Sequence, residues 1–172
     1  MGFDLYGKNP KNENGEYFRQ NVWGWRPIWE YVCSYHSDIV DTKIQDQGNY
    51  NSNYIVSEDI ATKLGNDIHI ALQDGTVAEF VNMVKERVAK AKEHNEKLEF
   101  HFELLKLQAI EISGNEHIVP RDYPNGLDKQ WQFLYSLKDR YESYPTDVED
   151  IAEFQRFCLD SGGFEISWVK YL

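Results

Sequence analysis

From Ser57 to Ala91 the sequence spells out two helices and the break between them, and no other stretch constrains the fold as strongly. Ser57 is a favoured N-cap, Glu58 and Asp59 follow in the electropositive first turn, and Ile60, Ala61, Leu64, Ile68, Ala71 and Leu72 keep helical spacing until Gly75. Thr76-Val77-Ala78-Glu79 then has the spacing of a capping box, which predicts a second helix with Val77, Phe80, Val81, Val84, Val88 and Ala91 as its apolar stripe. Two amphipathic helices in succession need partners that cover both stripes.

The rest of the chain supplies candidates. Arg26-Pro27 marks a helix start, since proline is preorganised for the first helical position, and Ile28 with Val32 and Trp29 with Cys33 extend that helix to about Tyr35. Pro120, Pro124 and Asn125-Gly126 mark loops before a helix containing Leu127, Trp131, Leu134 and Tyr141. Thr146-Asp147-Val148-Glu149 repeats the capping-box spacing and opens a helix whose face is Val148, Ile151, Phe154, Phe157 and Cys158 or Leu159. After Ser161-Gly162-Gly163, the alternation from Phe164 to Val169 reads as a strand. Leu98, Phe100 and Phe102 also alternate, so 97–112 is read as strand, although Leu98, Phe102 and Leu105 suit a helix too. Residues 1–21 are crowded with turn formers and read as irregular, and 36–56 reads as a polar stretch in which Gly48-Asn49-Tyr50-Asn51-Ser52-Asn53 is a loop or hairpin tip flanked by short strands. The expected class is α+β: a single compact domain over residues 1–172, rich in helix, with a small sheet.

Composition narrows the function classes. Hydrophobic residues make up 41% and charged residues 27%, the balance of a folding chain. A net charge of −11 argues against non-specific nucleic-acid binding and against attraction to an anionic membrane. The N-terminus has no signal-peptide pattern, Tyr6 stands where a myristoylation signal wants Ser or Thr, and no apolar run is long enough to span a bilayer. The expected location is the cytoplasm. Cys33 and Cys158 sit among apolar neighbours and read as small buried hydrophobes rather than as a disulfide or a reactive thiol. The sequence has no phosphate-binding glycine loop, no HExxH, no CxxC and no GxSxG, and its five histidines lack ligand spacing. No metal, cofactor or catalytic residue is assigned.

One constellation stands apart. Within residues 1–27, Lys8, Lys11, Arg19 and Arg26 outnumber Asp4, Glu13 and Glu16, so this opening carries +1 and the remainder −12. The candidate ligand-binding residues are Lys8, Tyr17, Arg19, Asn21, Trp23, Trp25 and Arg26. Aromatic faces stack on a base, guanidinium groups pair with phosphate as a fork, and an Asn amide reads a base edge. The same residues also describe a segment that anchors a core, with Trp23 and Trp25 sealing the fold and the arginines paired to carboxylates.

Gly2-Phe3-Asp4-Leu5-Tyr6-Gly7-Lys8-Asn9-Pro10, Gly15-Glu16-Tyr17-Phe18-Arg19 and Asn21-Val22-Trp23-Gly24-Trp25-Arg26-Pro27, together with Phe154-Gln155-Arg156-Phe157 and Ser161-Gly162-Gly163-Phe164-Glu165-Ile166, cover about a quarter of the chain. In order and spacing they resemble the two ends of a group of small bacterial and phage proteins with no established activity. The resemblance implies a shared fold in which the terminal segments meet. Some members carry central CxxC pairs suggestive of a zinc ribbon; this chain has no cysteine there. The resemblance also implies a phage or prophage setting, hence a host cytoplasm, in which small acidic proteins often act against host defence.

Three readings of function follow. The first is a non-enzymatic binding protein, a phage-type sponge that sequesters a nucleotide-derived signal. The second is an acidic inhibitor that occupies a basic site on a host defence protein. The third is a nucleotide-cleaving enzyme with Asp4 or Asp41 as base, ranked below binding. The partner is then a small nucleotide-like ligand or a host protein, and homo-oligomerisation is left open.

Overall fold

In the computed structural model, which describes residues 2–50 and 53–167, the chain is α+β: helices dominate and four strands form one antiparallel sheet in the order β2-β1-β4-β3. It divides into two compact units, one made of the residues up to Lys85 with those from Tyr144, the other of Glu86 to Ser143. No described helix is long and apolar enough to cross a membrane.

The first unit opens with β1 (Gly2–Gly7), a single helical turn α1 (Glu13–Glu16) and β2 (Tyr17–Asn21), so the expected irregular opening is a two-stranded ribbon. Its turn formers are real but confined to the connection. The strands escape the period-two pattern because Asp4, facing away from the core, is buried along with Phe3 and Leu5. Gly15 packs so closely under the end of the last helix that a Cβ there would lie 2.1 Å from the Asp160 carbonyl oxygen, a contact only glycine permits.

Helix α2 (Val22–Tyr35) begins five residues before Pro27. Its start is set by Asn21, whose carboxamide oxygen accepts the amides of Trp23 and Gly24, and the proline is tolerated in the second turn. Within the stretch read as polar, Asp41 caps α3 (Thr42–Gly48) by accepting the Ile44 amide; with only Ile44 and Gly48 buried, that helix is too short to show an apolar period. β3 (Tyr54–Val56) leads into α4 (Glu58–Asp74), capped by Ser57 and ended by left-handed Gly75 as expected.

Helix α5 (Thr76–Ser113) begins in the first unit and continues through the second. Thr76 is its first residue rather than its cap, and the Asp74 carboxylate accepts the Thr76 amide. A hydrogen bond from the Thr76 side chain, with the one from its amide, holds the Asp74 carboxyl below its usual range. The strand expected over 97–112 is this same helix. Leu98, Phe102, Leu105 and Ala109 form one buried stripe at spacings of four and three, while Phe100, the alternating partner, is 66% exposed.

The first unit closes with α7 (Val148–Asp160) and β4 (Phe164–Ser167). The capping box is real but lies one residue later than expected, between Asp147 and Asp150, and Val148 is exposed off the buried face. Gly162 and Gly163 take φ of 62° and 84°, which turn the chain into the central strand β4 beside β1. Trp168 and Val169, expected to prolong that strand, lie outside the described residues. The core is aromatic: Trp25 lies between Phe3 and Trp29, and Phe154 and Phe157 pack on Phe18 and Phe164.

The second unit is a helical hairpin. α6 (Leu127–Ser136) follows left-handed Asn125 and Gly126, and Tyr141 falls in a short 3-10 turn (Arg140–Ser143) rather than on α6. Phe102 meets Trp131, Glu99 meets Lys138 and Asn95 meets Asp139, so rising numbers on one arm face falling numbers on the other and the arms run antiparallel. The buried cluster of this hairpin is Leu105, Ala109, Tyr123 and Leu127, edged by Ile118, Trp131 and Leu134.

Candidate functional site

The sheet has two unlike faces. Phe3, Leu5, Phe18, Phe164 and Ile166 point into the core, so register places Tyr17, Tyr6, Glu165 and Ile55 in one row on the opposite face, with Arg19, Asp4 and Ser167 in the next. Tyr6 and Tyr17 pack ring on ring at 5.2 Å and remain 39% and 44% exposed. The Arg19 side chain is 61% exposed.

Asp4 organises this face. It is 1% exposed; one carboxylate oxygen accepts the Tyr17 hydroxyl and lies 3.6 Å from Arg19 Nε, while Oδ2 has no hydrogen-bond partner. Burial, reinforced by the hydrogen bond to Asp4, pushes the Tyr17 phenol up to about 12, so at neutral pH it stays a donor. The buried carboxylate thereby fixes a phenol and a guanidinium whose remaining surfaces face solvent. Lys8 Nζ reaches Glu165 at 3.3 Å on the same face.

Of the seven residues named from sequence, Lys8, Tyr17 and Arg19 belong to this sheet face, whereas the other four are tied to helix α2. Trp25 is fully buried, sandwiched between rings, and its indole N–H donates to the Gly48 carbonyl at 2.7 Å; no face remains for a solute. Asn21 is occupied as the helix cap. Arg26 donates to the Asn49 carboxamide at 3.0 Å, and Trp23, half exposed, leans on Tyr144. The Asp41 carboxylate is taken up by the amide of Ile44.

A polar cleft of about 240 Å³ lies where β2, the edge strand, meets α1 and α7, lined by Glu13, Asn14, Tyr17, Phe18, Glu153 and Arg156. Tyr17 belongs to both the cleft and the open face. A cavity this small admits one ring system, since pockets for drug-sized ligands start near ~300 Å³. No family model, curated protein or solved structure matches the chain. Its chemistry is therefore argued from these groups alone.

The hairpin carries a larger cavity that sequence reasoning missed. About 500 Å³ in volume, it is lined by apolar Leu104, Leu105, Phe133 and Leu134 with polar His101, Gln108, Lys129 and Gln130 at its edges. Its signal was present in a stripe wider than a two-helix contact needs, with Phe100, Leu104 and Leu107 beside the buried Leu98, Phe102 and Leu105. Reading part of that helix as strand hid it.

Both thiols are free; burial pushes Cys33 up to about 11, with Asp46 adding to the effect, and burial likewise raises Cys158 well above the usual thiol range. Neither is an activated nucleophile at neutral pH. No three His, Cys, Asp or Glu side chains gather as a metal site among the described residues.

Proposed function

We propose that this protein is a non-enzymatic binding protein that captures a small, ring-bearing anion of the nucleotide class at the β2 edge of its sheet, acting as a sponge in the cytoplasm that contains it. The reading rests on one observation. Buried Asp4 holds Tyr17 and Arg19 in fixed positions while both stay open to solvent. Tyr17, Tyr6 and the adjoining cleft offer ring contact; the outer nitrogens of Arg19, with Lys8, offer charge to a phosphate. Preorganisation matters because ordering a long side chain on binding costs about 0.5–1.5 kcal/mol. The acidity of the unit, with nine basic against eighteen acidic side chains, opposes long polyanions more than a single phosphate.

Isothermal titration with mononucleotides, ADP-ribose and cyclic dinucleotides tests this. Heat is expected for ligands with one ring inserted and one phosphate on Arg19. Arg19→Ala should weaken binding about 10- to 100-fold, the worth of a charged hydrogen bond. Absence of heat with every member sinks the proposal, and ligand returned chemically altered replaces binding with catalysis.

The same acidity supports a second reading, an inhibitor whose negative surface occupies a basic site on a host protein. Salt-sensitive capture of a basic partner that survives Arg19→Ala would favour it.

A further inference from the structure

The helical hairpin exposes more apolar surface than a finished unit should. Phe100 is 66%, Leu107 60%, Phe133 63%, Leu137 43% and Leu104 42% exposed. Phe100, Leu104 and Leu107 follow one another at four and three residues along α5, and Phe133 on α6 is followed four residues later by Leu137 at the helix's C-cap, so each arm presents a stripe. Leu104 and Phe133 both line the 500 Å³ groove, so each stripe reaches it.

Together these five side chains leave roughly 400 Å² of apolar surface in water. A standard interface buries ~800 Å² per partner, of which ~450 Å² is apolar, so the hairpin face is the size that one such interface consumes. The hairpin is also short of internal burial. Its described buried apolar side chains are Ala91, Leu98, Phe102, Leu105, Ala109, Tyr123 and Leu127, and a body of this size commonly adds burial through oligomerisation.

Charge selects the occupant. Glu86 to Ser143 carry nine basic and eleven acidic side chains, a net of −2, whereas the rest of the chain carries −9. Lys129 lines the groove, and Lys97, Glu103 and Glu111 lie elsewhere on α5. A partner selected by charge would face a surface of one sign. A near-neutral unit can meet its own copy about a twofold axis with little like-charge repulsion, whereas a unit at −9 could not.

We infer that the protein forms a homodimer through this face, two hairpins packing into a four-helix assembly in which Phe133 and Phe100 of each copy fill the groove region of the other. The inference is independent of the ligand site proposed above.

Sedimentation equilibrium of the full chain, from micromolar to submillimolar concentration, tests it. Twice the 20.3 kDa chain mass is expected, with Phe133→Asp and Leu104→Asp each weakening association about 100-fold while leaving the circular dichroism unchanged. Ile55→Asp, on the exposed sheet face, and Arg19→Ala should dimerise like the parent chain. A monomer throughout the range overturns the inference, as does a dimer that the groove variants leave intact or one that Ile55→Asp breaks. If the full chain stays monomeric and the groove instead seats another protein's helix, the face is a docking site for a foreign partner and self-association is refuted.

Discussion

The two units use aromatic residues in opposite ways. In the first, Trp25, Phe154, Phe157 and Phe164 are all at most 1% exposed and touch one another or Phe18 and Trp29 ring to ring, so the core is closed and the sheet face is left for polar chemistry. In the hairpin, Phe100 and Phe133 point outward, and stability leans on polar ties such as Asn95, which is buried and holds both the amide and the carbonyl of Asp139. The difference teaches that a similar aromatic content can mean a sealed core in one place and a contact surface in another. Neighbours decide which.

The sharpest way to break that contrast is to truncate one ring of each kind. Trp25→Ala should cost about 3–5 kcal/mol in urea denaturation, since it removes a fully buried ring and orphans the Gly48 carbonyl. A loss under ~1 kcal/mol would mean that the first core is not sealed. Asn95→Ala should cost about 1–3 kcal/mol by leaving the Asp139 amide unpaired, and the loosening should appear in amide exchange within 86–143. Exchange rising equally elsewhere would erase the distinction between the units.

Acid sharpens the picture of the first unit. His36 is 5% exposed, its Nε2 has no hydrogen-bond partner, and burial holds its pKa below 6.5 despite Asp67 and Asp38, which pull the other way. The unfolded chain therefore takes up a proton that the folded one refuses. Stability is complete above pH 6.5 and declines as pH falls from there towards the lowered folded value, at no more than ~1.4 kcal/mol per pH unit. His36→Gln should flatten that slope between pH 7 and pH 5; an unchanged slope assigns it to other groups. The smallest effect is expected for Phe133→Ser, within about 0.5 kcal/mol for the fold of the isolated chain, because the ring is mostly in water already.

What the sequence revealed depended on how local the determinants were. Helix α4 is legible from Ser57 to Gly75 because its cap, acidic first turn and stop all lie within the segment. The β1–β2 ribbon is not, because Asp4 is buried by pairings with residues 13 and 15 positions away, and that pairing is what makes a polar position look like an interior one. Pro27 points to the wrong helix start, since a capping Asn six residues upstream outweighs it. For the site, residue type alone singled out Lys8, Tyr17 and Arg19, but separating them from Trp25 requires register. The groove was hidden more deeply. On one helix the buried Leu105 and the half-open Leu104 are adjacent leucines, and only the position of α6 distinguishes them.

Amide hydrogen exchange measured at two protein concentrations bears on the central contrast most directly. If one unit is closed and the other completes its burial by association, protection should rise with concentration at Phe100–Leu107 and Gln130–Leu137 and stay constant through Trp25, Phe154 and Phe164. Protection independent of concentration in the hairpin, or rising first around those buried rings, would contradict the account.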